Sequence, residues 1–360
     1  MSYELCQKVR DLEPYEPISG SYAVRLDANE SFCSMPEELM EEFRQVLSAA
    51  AFNRYPDPCA SGLIKAFASF YRLDPDCVTA TNGSDEMLYL LASALLPRGS
   101  RVAVVDPDFS MYAFYSYLSE NEILTFRKGE DQTLSVEALL TFVREQKADM
   151  LIFSNPCNPD STGITAEEAR TLVRQADCLV VIDEAYMDFW DQSILSEHRQ
   201  YDNLILLKTA SKAVGAAALR LGFAVASPEI TRALRAVKSP YNVNSLSQAL
   251  GEKLYSRPEW LLSCREAIIR QTRELYGSLQ KLIENYQLPW RMEEPKTNFV
   301  FVRTEQAEDI YSFLLGENIA VRCFAKAKAL RITSGTPQEQ QKLMVALEKY
   351  VLEKIIKRNR

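Results

Sequence analysis

The chain has 360 residues, of which 47% are apolar, 25% charged and 10% aromatic, and its formal net charge at pH 7 is -8. This composition is that of a folded globular protein, and the length allows two packed domains. The negative net charge and the scattered Lys and Arg residues argue against a nucleic-acid partner, and no apolar run has the length that a membrane span needs.

Two features bear on location and on metal binding. The first residues lack an apolar core of signal-peptide length, and the 8 cysteines include no CxxC pair. These features favour a cytoplasmic protein with free thiols and without a zinc site. The lone histidine, His198, lies in a polar stretch and is predicted to lie at the surface.

Short runs rich in Val, Ile and Leu predict a mainly parallel sheet. They end at polar residues or proline and cover residues 101–107, 150–154, 179–183, 204–208 and 221–225. Continuous apolar runs of this length are typical of strands buried on both faces. Helical patterns at residues 84–96 and 166–176 predict crossover connections, and together these elements predict an α/β fold.

The pattern changes after residue 240. Residues 245–286 predict one long helix, residues 298–302 and 329–333 predict strands, and residues 337–356 predict a closing helix. We therefore predict three parts: an N-terminal arm, a large α/β domain and a small α+β domain. Their bounds are residues 1–25, 26–240 and 241–360.

Polar residues follow three of the predicted strands, at residues 155–158, 183–186 and 209–212. Ligands bind at the carboxyl ends of strands in open parallel sheets. Pyridoxal phosphate needs a lysine for its aldehyde, a carboxylate beside its ring nitrogen and a donor to its ring oxygen. Lys212 and Asp183 match the first two needs. Tyr186 and Asn158 can both reach the ring oxygen.

The cofactor also needs a phosphate site. Gly83, Ser84 and Asp85 open a predicted helix, where backbone N–H groups bind anions, and Arg220 could close that site. Taken singly, these residues have ordinary alternatives: a surface lysine, a helix cap, a plain helix start or an ion-pair partner. Their occurrence together and in order favours the cofactor site.

Short motifs over nearly the whole chain support this interpretation. They lie at residues 9–15, 26–30, 54–57, 82–86, 183–186, 211–213 and 330–333. In order and spacing the sequence resembles the fold type I, aspartate-aminotransferase-like family of pyridoxal-phosphate enzymes, and within it the histidinol-phosphate aminotransferases. The resemblance implies a large α/β/α domain with a mainly parallel sheet and a smaller α+β C-terminal domain.

The resemblance implies roles on the cofactor side. Lys212 would be attached to the cofactor and would move protons, while Asp183 would hold the protonated ring nitrogen. Asn158 and Tyr186 would bond the ring oxygen. Phe109 would stack on the ring, unless it is simply a core residue. The residues around the phosphate would be Gly83, Ser84, Asp85, Thr209, Ser211 and Arg220.

On the substrate side the resemblance implies a homodimer with shared active sites. Tyr55 would reach the phosphate of the neighbouring subunit's cofactor, although it could be an ordinary turn aromatic. Arg331 would pair with the substrate carboxylate, and Arg322 would help to bind a substrate phosphate. Tyr15 would close over the substrate, and Asn29 would complete the site.

Three positions depart from the family's motifs. Residues 158–163 carry two extra residues in the Asn-Pro-Thr-Gly turn, so we expect the loop to bulge. Ala218 replaces the usual Gly and would be strained at a positive φ. Residues 31–33 replace the usual Asn-Pro. These departures bear more on the substrate than on the cofactor.

The implied reaction transfers an amino group from L-histidinol phosphate, a phosphorylated amino alcohol, to 2-oxoglutarate. Its products are imidazole acetol phosphate and glutamate. Two other enzymes would use a similar cofactor site: an aromatic amino-acid aminotransferase and a threonine-phosphate decarboxylase. A non-catalytic regulator that binds the cofactor is a further alternative, but such regulators usually carry a fused DNA-binding domain.

Overall fold

The computed structural model describes residues 3–10, 12–14, 18–129 and 132–356. The strands are β1 (Val24–Leu26), β2 (Val78–Asn82), β3 (Arg101–Asp106), β4 (Glu122–Arg127), β5 (Met150–Ser154), β6 (Leu179–Asp183), β7 (Leu204–Thr209), β8 (Leu221–Ala226), β9 (Phe299–Arg303), β10 (Ile319–Phe324) and β11 (Ala329–Thr333). The helices are α1 (Gln7–Arg10), α2 (Glu37–Ala49), α3 (Ser61–Tyr71), α4 (Gly83–Leu90), α5 (Met111–Leu118), α6 (Val136–Glu145), α7 (Ala166–Gln175), α8 (Pro228–Val237), α9 (Ser245–Tyr255), α10 (Pro258–Tyr286), α11 (Ala307–Gly316) and α12 (Pro337–Tyr350).

Seven strands form the larger sheet, in the order β2-β8-β7-β6-β5-β3-β4. Strands β3, β4, β5, β6 and β7 run parallel to one another. Strand β8 is antiparallel to both of its neighbours, β7 and β2. The five predicted strands of this sheet and its α/β character are confirmed. Both faces are buried, because alternate residues of one strand enter different cores: Leu151 packs in one and Ile152 in the other.

Four strands form the smaller sheet, in the order β1-β10-β11-β9. Its strand β1 comes from the N-terminal part of the chain and pairs with β10 in parallel. Helices α10, α11 and α12 pack against this sheet and bury a separate core that includes Leu279, Ile310 and Leu347. The segment that follows β1 therefore starts at the smaller sheet and leads into the cleft between the two sheets.

The predicted long helix over residues 245–286 is wrong, because the structure has two helices there. They are α9 and α10, and α10 starts at Pro258, which occupies its first turn. Proline disfavours helical geometry at the preceding residue, so the chain turns before restarting. Helix α9 and the start of α10, at Leu261, pack in the core of the larger sheet, whereas Leu279 of α10 packs in that of the smaller one.

His198 is buried, so its predicted surface position is wrong. It lies in the 3-10 helix Leu195–Gln200, and its ring Nδ1 is 2.8 Å from the carbonyl oxygen of Leu195. A 3-10 helix has three residues per turn, so Leu195 and His198 share the inward face while polar neighbours face solvent. Burial lowers the pKa of the His198 imidazole.

None of the helices in the described ranges combines the length and the apolar character that a membrane crossing requires.

Candidate active site

The predicted site residues of the larger sheet meet at the carboxyl ends of its parallel strands. Asp183 is the last residue of β6 and Thr209 is the last residue of β7. Because β8 is antiparallel, it begins at this same edge with Leu221, directly after Arg220. The start of α4 lies there too, since Asn82 at the end of β2 pairs with Leu221.

A buried carboxylate lies at the centre of this edge. Asp183 is 4% exposed, and its carboxylate accepts hydrogen bonds from the Tyr112 hydroxyl at 2.8 Å and from the backbone N–H of Ala185 at 3.0 Å. Burial raises the pKa of Asp183, and the two donors oppose that rise. They therefore favour the ionised form of a group that burial alone would neutralise.

Tyr112 was not among the residues predicted for the site. It lies on α5, and with Ser116, one turn later, it forms the buried face of that short helix. The sequence does carry an indication of its role, because a tyrosine on the buried face of a helix needs a hydrogen-bond partner for its hydroxyl. Its partner is far away in the sequence, however, and only the fold brings α5 over β6.

Lys212 follows β7 in a tight loop, closed by a hydrogen bond from the N–H of Ala216 to the carbonyl of Ala210 at 2.9 Å. The side chain of Lys212 is half-buried. Its Nζ donates to the carbonyl of Ala28 at 3.2 Å and lies 5.7 Å from the centre of the Tyr186 ring. The structure thus brings this amine beside Tyr186.

Tyr186 and Asn29 join the two sheets. The Tyr186 hydroxyl accepts a hydrogen bond from Asn29 Nδ2 at 2.8 Å. Asn29 has a positive φ of 54° and is held by Thr333, whose hydroxyl contacts both its N–H and its side-chain oxygen at 3.0 Å. Both residues are buried, so this contact has a defined geometry.

Asn158 and Arg331 form a second contact across the cleft. One Arg331 nitrogen, Nη1, donates to Asn158 Oδ1 at 2.5 Å, and Nη2 donates to the carbonyl of Asp27 at 2.8 Å. The guanidinium carbon lies 5.4 Å from the centre of the Phe299 ring. Arg322 is the register partner of Arg331 across β10 and β11, so the two arginines are neighbours.

The loop that carries Asn158 contains the two extra residues and is firmly held. Ser161 adopts a positive φ of 63°, and its hydroxyl is 2.9 Å from that of Thr297. Asp160 forms an ion pair with Lys128 at 2.8 Å, with side chains 1% and 2% exposed. A buried ion pair of this kind fixes the loop geometry, because separating its charges would leave one unpaired.

The start of α4 forms a close-fitting cradle with the start of β8. A Cβ at Gly222 would lie 2.4 Å from the backbone carbonyl carbon of Gly83 and the backbone nitrogen of Ser84, so only glycine fits. Gly83 has a positive φ of 79°. Arg220 reaches the same place and donates to Asp85 at 3.1 Å.

Two hydroxyl-bearing residues stand beside this cradle. The backbone N–H of Ser211 donates to the hydroxyl of Thr209 at 3.1 Å, and the two hydroxyls are also 3.1 Å apart. Ala218 lies in the 3-10 turn Ala217–Leu219 and is not among the residues with positive φ, so its methyl group causes no backbone strain.

Two further predicted site residues, Tyr55 and Phe109, contact other aromatic rings. Tyr55 is 82% exposed and stacks on Tyr241, with ring centres 4.6 Å apart. Phe109 is half-buried, with its ring centre 5.5 Å from that of Tyr112. Tyr15 lies outside the described residues.

The donor set fits pyridoxal phosphate. A buried, ionisable carboxylate stands near an amine and a phenol, as a protonated pyridine ring and an aldehyde require. The cradle offers backbone N–H groups at a helix start with an arginine beside them, as a phosphate requires. The absence of a Cβ at Gly222 lets the start of α4 pack directly on β8, which holds these N–H groups in place.

Comparison with known proteins agrees with this geometry. The model of the family "Aminotransferase class I and II" matches residues 21–347. The chain belongs to this aminotransferase family. It is therefore an aminotransferase, and pyridoxal phosphate is the cofactor that its family and its donor set indicate.

Individual relatives extend the comparison. The chain is 36% identical over 343 residues to a histidinol-phosphate aminotransferase of Clostridium novyi, covering 94% of this chain and 95% of the relative. It is 32% identical over 346 residues to that of Clostridium kluyveri, covering 95% and 97%. The crystal structure of histidinol-phosphate aminotransferase from Sinorhizobium meliloti with pyridoxal-5'-phosphate matches with a TM-score of 0.86, at 20% identity over 98% of each chain. This last match shows that the aminotransferase has the fold type I architecture.

Proposed function

We propose that this aminotransferase transfers the amino group of L-histidinol phosphate to 2-oxoglutarate. The names of its relatives at 36% and 32% identity support the first substrate. The observation that carries the proposal is the convergence of Lys212, Asp183 and Arg331 on one cleft. An amine, a buried carboxylate and a fixed guanidinium are what transamination of an acidic substrate requires.

Pyridoxal phosphate, when bound, supplies an aldehyde that captures the substrate amine and a ring that accepts electrons. Asp183 would hold a proton on the ring nitrogen. The hydrogen bonds from Tyr112 and from the backbone of Ala185 support this role, because they favour its charged form. Tyr186 and Asn158 would contact the ring oxygen. The phosphate would lie among Gly83, Ser84, Asp85, Thr209, Ser211 and Arg220.

Lys212 would act as the base. Its Nζ would remove a proton from the amine-bearing carbon of the substrate and deliver it to the cofactor carbon that receives the amine. The distance of 5.7 Å from the Tyr186 ring supports this assignment, because the amine is then beside the ring-oxygen ligands. The contact with the carbonyl of Ala28 is one that a substrate could displace, since both groups are near the mouth of the cleft.

The same site must accept a phosphate group and a dicarboxylate in turn. Arg331 would bind the carboxylate of glutamate or 2-oxoglutarate. Its guanidinium is held for this role by hydrogen bonds from Nη1 to Asn158 Oδ1 and from Nη2 to the carbonyl of Asp27. Arg322, next to it in register, would contact the substrate phosphate. Tyr15 and Asn29 would complete the substrate side. Neighbouring arginines suit two anionic substrates that share one cleft.

We further propose a homodimer with shared sites. Tyr55 is a large aromatic residue that is 82% exposed and fixed by stacking on Tyr241, as expected of a group that contacts a second subunit. Within this proposal Tyr55 reaches the phosphate of the neighbouring cofactor, and Phe109 stacks on the ring of its own. Sedimentation of the unaltered enzyme tests for the dimer. A lower affinity of the Tyr55→Ala variant for pyridoxal phosphate would support the contact of Tyr55 with the cofactor.

We propose that the chain divides into an arm (residues 1–25), a large domain (residues 26–240) and a small domain (residues 241–360), although α9 and the start of α10 pack against the larger core.

We also propose that the enzyme acts in the cytoplasm. Its eight cysteines are free, which suits a reducing compartment.

A half-reaction tests the activity. L-Histidinol phosphate is added to the holoenzyme without any oxo acid, and the visible spectrum is followed. Loss of the aldehyde-form band, with formation of the amine form, is expected, and 2-oxoglutarate should reverse it. A response to phenylalanine alone would favour the aromatic aminotransferase, and release of carbon dioxide from threonine phosphate would favour the decarboxylase. The Lys212→Ala variant should lose turnover, and undiminished turnover would contradict the mechanism.

A further inference from the structure

A cavity of about 760 Å³ lies next to the active site. Its wall is formed by the turn after β6, the first half of α10 and the segment that precedes β9. None of the residues assigned above to the cofactor or the substrate lines it, but it begins at Met187, directly after Tyr186. A cavity of this volume is large enough for a small metabolite.

Three cationic side chains in this wall have no acidic partner among the described residues. They are Arg265 and Arg273 of α10 and Lys296 before β9, and within the described ranges no carboxylate lies within 4.0 Å of their nitrogens. Arg265 Nε is also a buried atom without a hydrogen-bond acceptor in the described part of the chain. A buried donor without an acceptor is unfavourable, so a ligand that supplies an oxygen would gain by occupying this place.

The acidic groups of the wall do not cancel this charge. Asp188 is already engaged: it accepts from Lys208 at 2.9 Å and from the Tyr71 hydroxyl at 3.0 Å. The other two carboxylates, Asp191 and Glu294, belong to exposed residues. Arg265 and Lys296 are half-buried, so these two cations are less exposed than the two carboxylates, while Arg273 is exposed and lies at the rim of the cavity.

The wall is also held in place before any ligand arrives. Trp190 packs so closely on Gly163 that a Cβ there would lie 2.7 Å from the indole. Lys296 Nζ lies 5.3 Å from the centre of the Trp190 ring, and this cation–π contact keeps the ammonium at the wall. A second cavity of about 680 Å³ shares Arg265 and Asp188 with the first, so Arg265 has open space on two sides.

We propose that this cavity is a second binding site, for a small oxyanion that carries phosphate or carboxylate groups. Arg265 Nε, Arg273 and Lys296 would contact its oxygens, and the ligand would bridge α10 and the turn after β6. That turn carries Tyr186, and α10 packs against both cores. Binding would therefore reach the active site through directly connected elements, without the ligand touching the substrate.

Calorimetric titration of the holoenzyme with inorganic pyrophosphate tests the proposal. The Arg265→Gln, Arg273→Gln double variant should lose about 100-fold in affinity, since each lost hydrogen bond to a charged group contributes about 1.5 kcal/mol, or about tenfold. Arg270→Gln is the matched control, because Arg270 is an exposed arginine of the same helix outside the cavity wall. Its affinity should equal that of the unaltered enzyme.

Two further variants keep the result decisive. Arg322→Gln should lower pyrophosphate affinity only if the probe enters the substrate site, and loss of binding in this variant but not in the double variant overturns the proposal. Equal losses in the double variant and in Arg270→Gln overturn it too, because they indicate a general charge effect. Lys296→Gln serves if the double variant does not fold, and unchanged affinity in Lys296→Gln would contradict the assigned contacts.

Discussion

Replacing Tyr112 by Phe should slow transamination without disrupting the fold. The substitution removes one oxygen atom, which now donates to Asp183 at 2.8 Å. Both residues are buried, so water cannot readily replace the lost donor. A hydrogen bond to a charged group contributes about 1.5–3 kcal/mol. If Asp183 acts in its ionised form, this loss corresponds to a fall in kcat of about 10- to 150-fold.

The same substitution should shift the pH dependence. Burial raises the pKa of Asp183, and the hydrogen bond from Tyr112 is the largest effect that lowers it. Without the phenol the pKa of Asp183 rises further, so the carboxylate is protonated at higher pH. The acidic limb of the kcat profile should therefore move to higher pH in Tyr112→Phe.

Steady-state rates with L-histidinol phosphate between pH 6 and pH 9 provide the assay. Tyr115→Phe is the control, because Tyr115 lies on the same helix and makes no contact with Asp183. The reasoning is refuted if Tyr112→Phe keeps both the rate and the acidic limb of the unaltered enzyme, or if Tyr115→Phe shows the same shift.

Three further predictions concern stability and cofactor binding. Lys128→Met should destabilise the fold by about 3–5 kcal/mol in urea unfolding, because it leaves a buried carboxylate unpaired. Lys349→Met, which breaks an exposed pair, should change stability far less. Gly222→Ala should weaken pyridoxal-phosphate binding about tenfold, because the added methyl group strains the start of α4 by about 1–3 kcal/mol. Gly277→Ala is the control and should bind the cofactor normally, because a Cβ at Gly277 would meet nothing within 4 Å. Burial raises the pKa of Glu184 to about 7, above the unfolded value of about 4.3. Its contribution to stability is therefore greatest below about pH 4 and is lost as the pH rises through about 7. Glu184→Gln should flatten this pH dependence of the free energy of unfolding.

Each of these predictions has a contrary result. Equal losses of stability in Lys128→Met and Lys349→Met would show that burial does not strengthen the first pair. Unchanged cofactor affinity in Gly222→Ala would show that the start of α4 is not the phosphate cradle. A parallel pH dependence in Glu184→Gln and the unaltered enzyme would remove Glu184 as its source.

The sequence predicted β3, β5, β6, β7 and β8 of the larger sheet, but not the buried strand β2, whose run contains three polar residues. Strands such as β5 and β6 are continuous apolar runs, and the polar residues at their ends predict the edge at which the candidate site lies. Strand β4 lies at the edge of its sheet and has a single buried residue, Leu124, and β1 has only three residues. Their patterns resemble those of loops, so only pairing with distant strands defines them.

The candidate site was predictable where chemistry alone selects a residue. A lysine, an aspartate and a glycine-led helix start can be matched to a cofactor from their order. The Tyr112–Asp183 hydrogen bond and the Lys128–Asp160 ion pair join residues 71 and 32 positions apart in the chain. Neither is encoded in local spacing, and each depends on how strands and helices stack.

The pairing of β1 with β10 has a consequence for how the enzyme handles its substrates. It attaches the segment that carries Asn29 to the same sheet that carries Arg322 and Arg331. Asn29, Arg322 and Arg331 thus belong to the smaller sheet and its adjoining segment, while Asp183 and Lys212 belong to the larger sheet. A rotation between the sheets would move the substrate's anionic groups as a set relative to the reacting carbon, so one hinge could align either substrate without rebuilding the cofactor site.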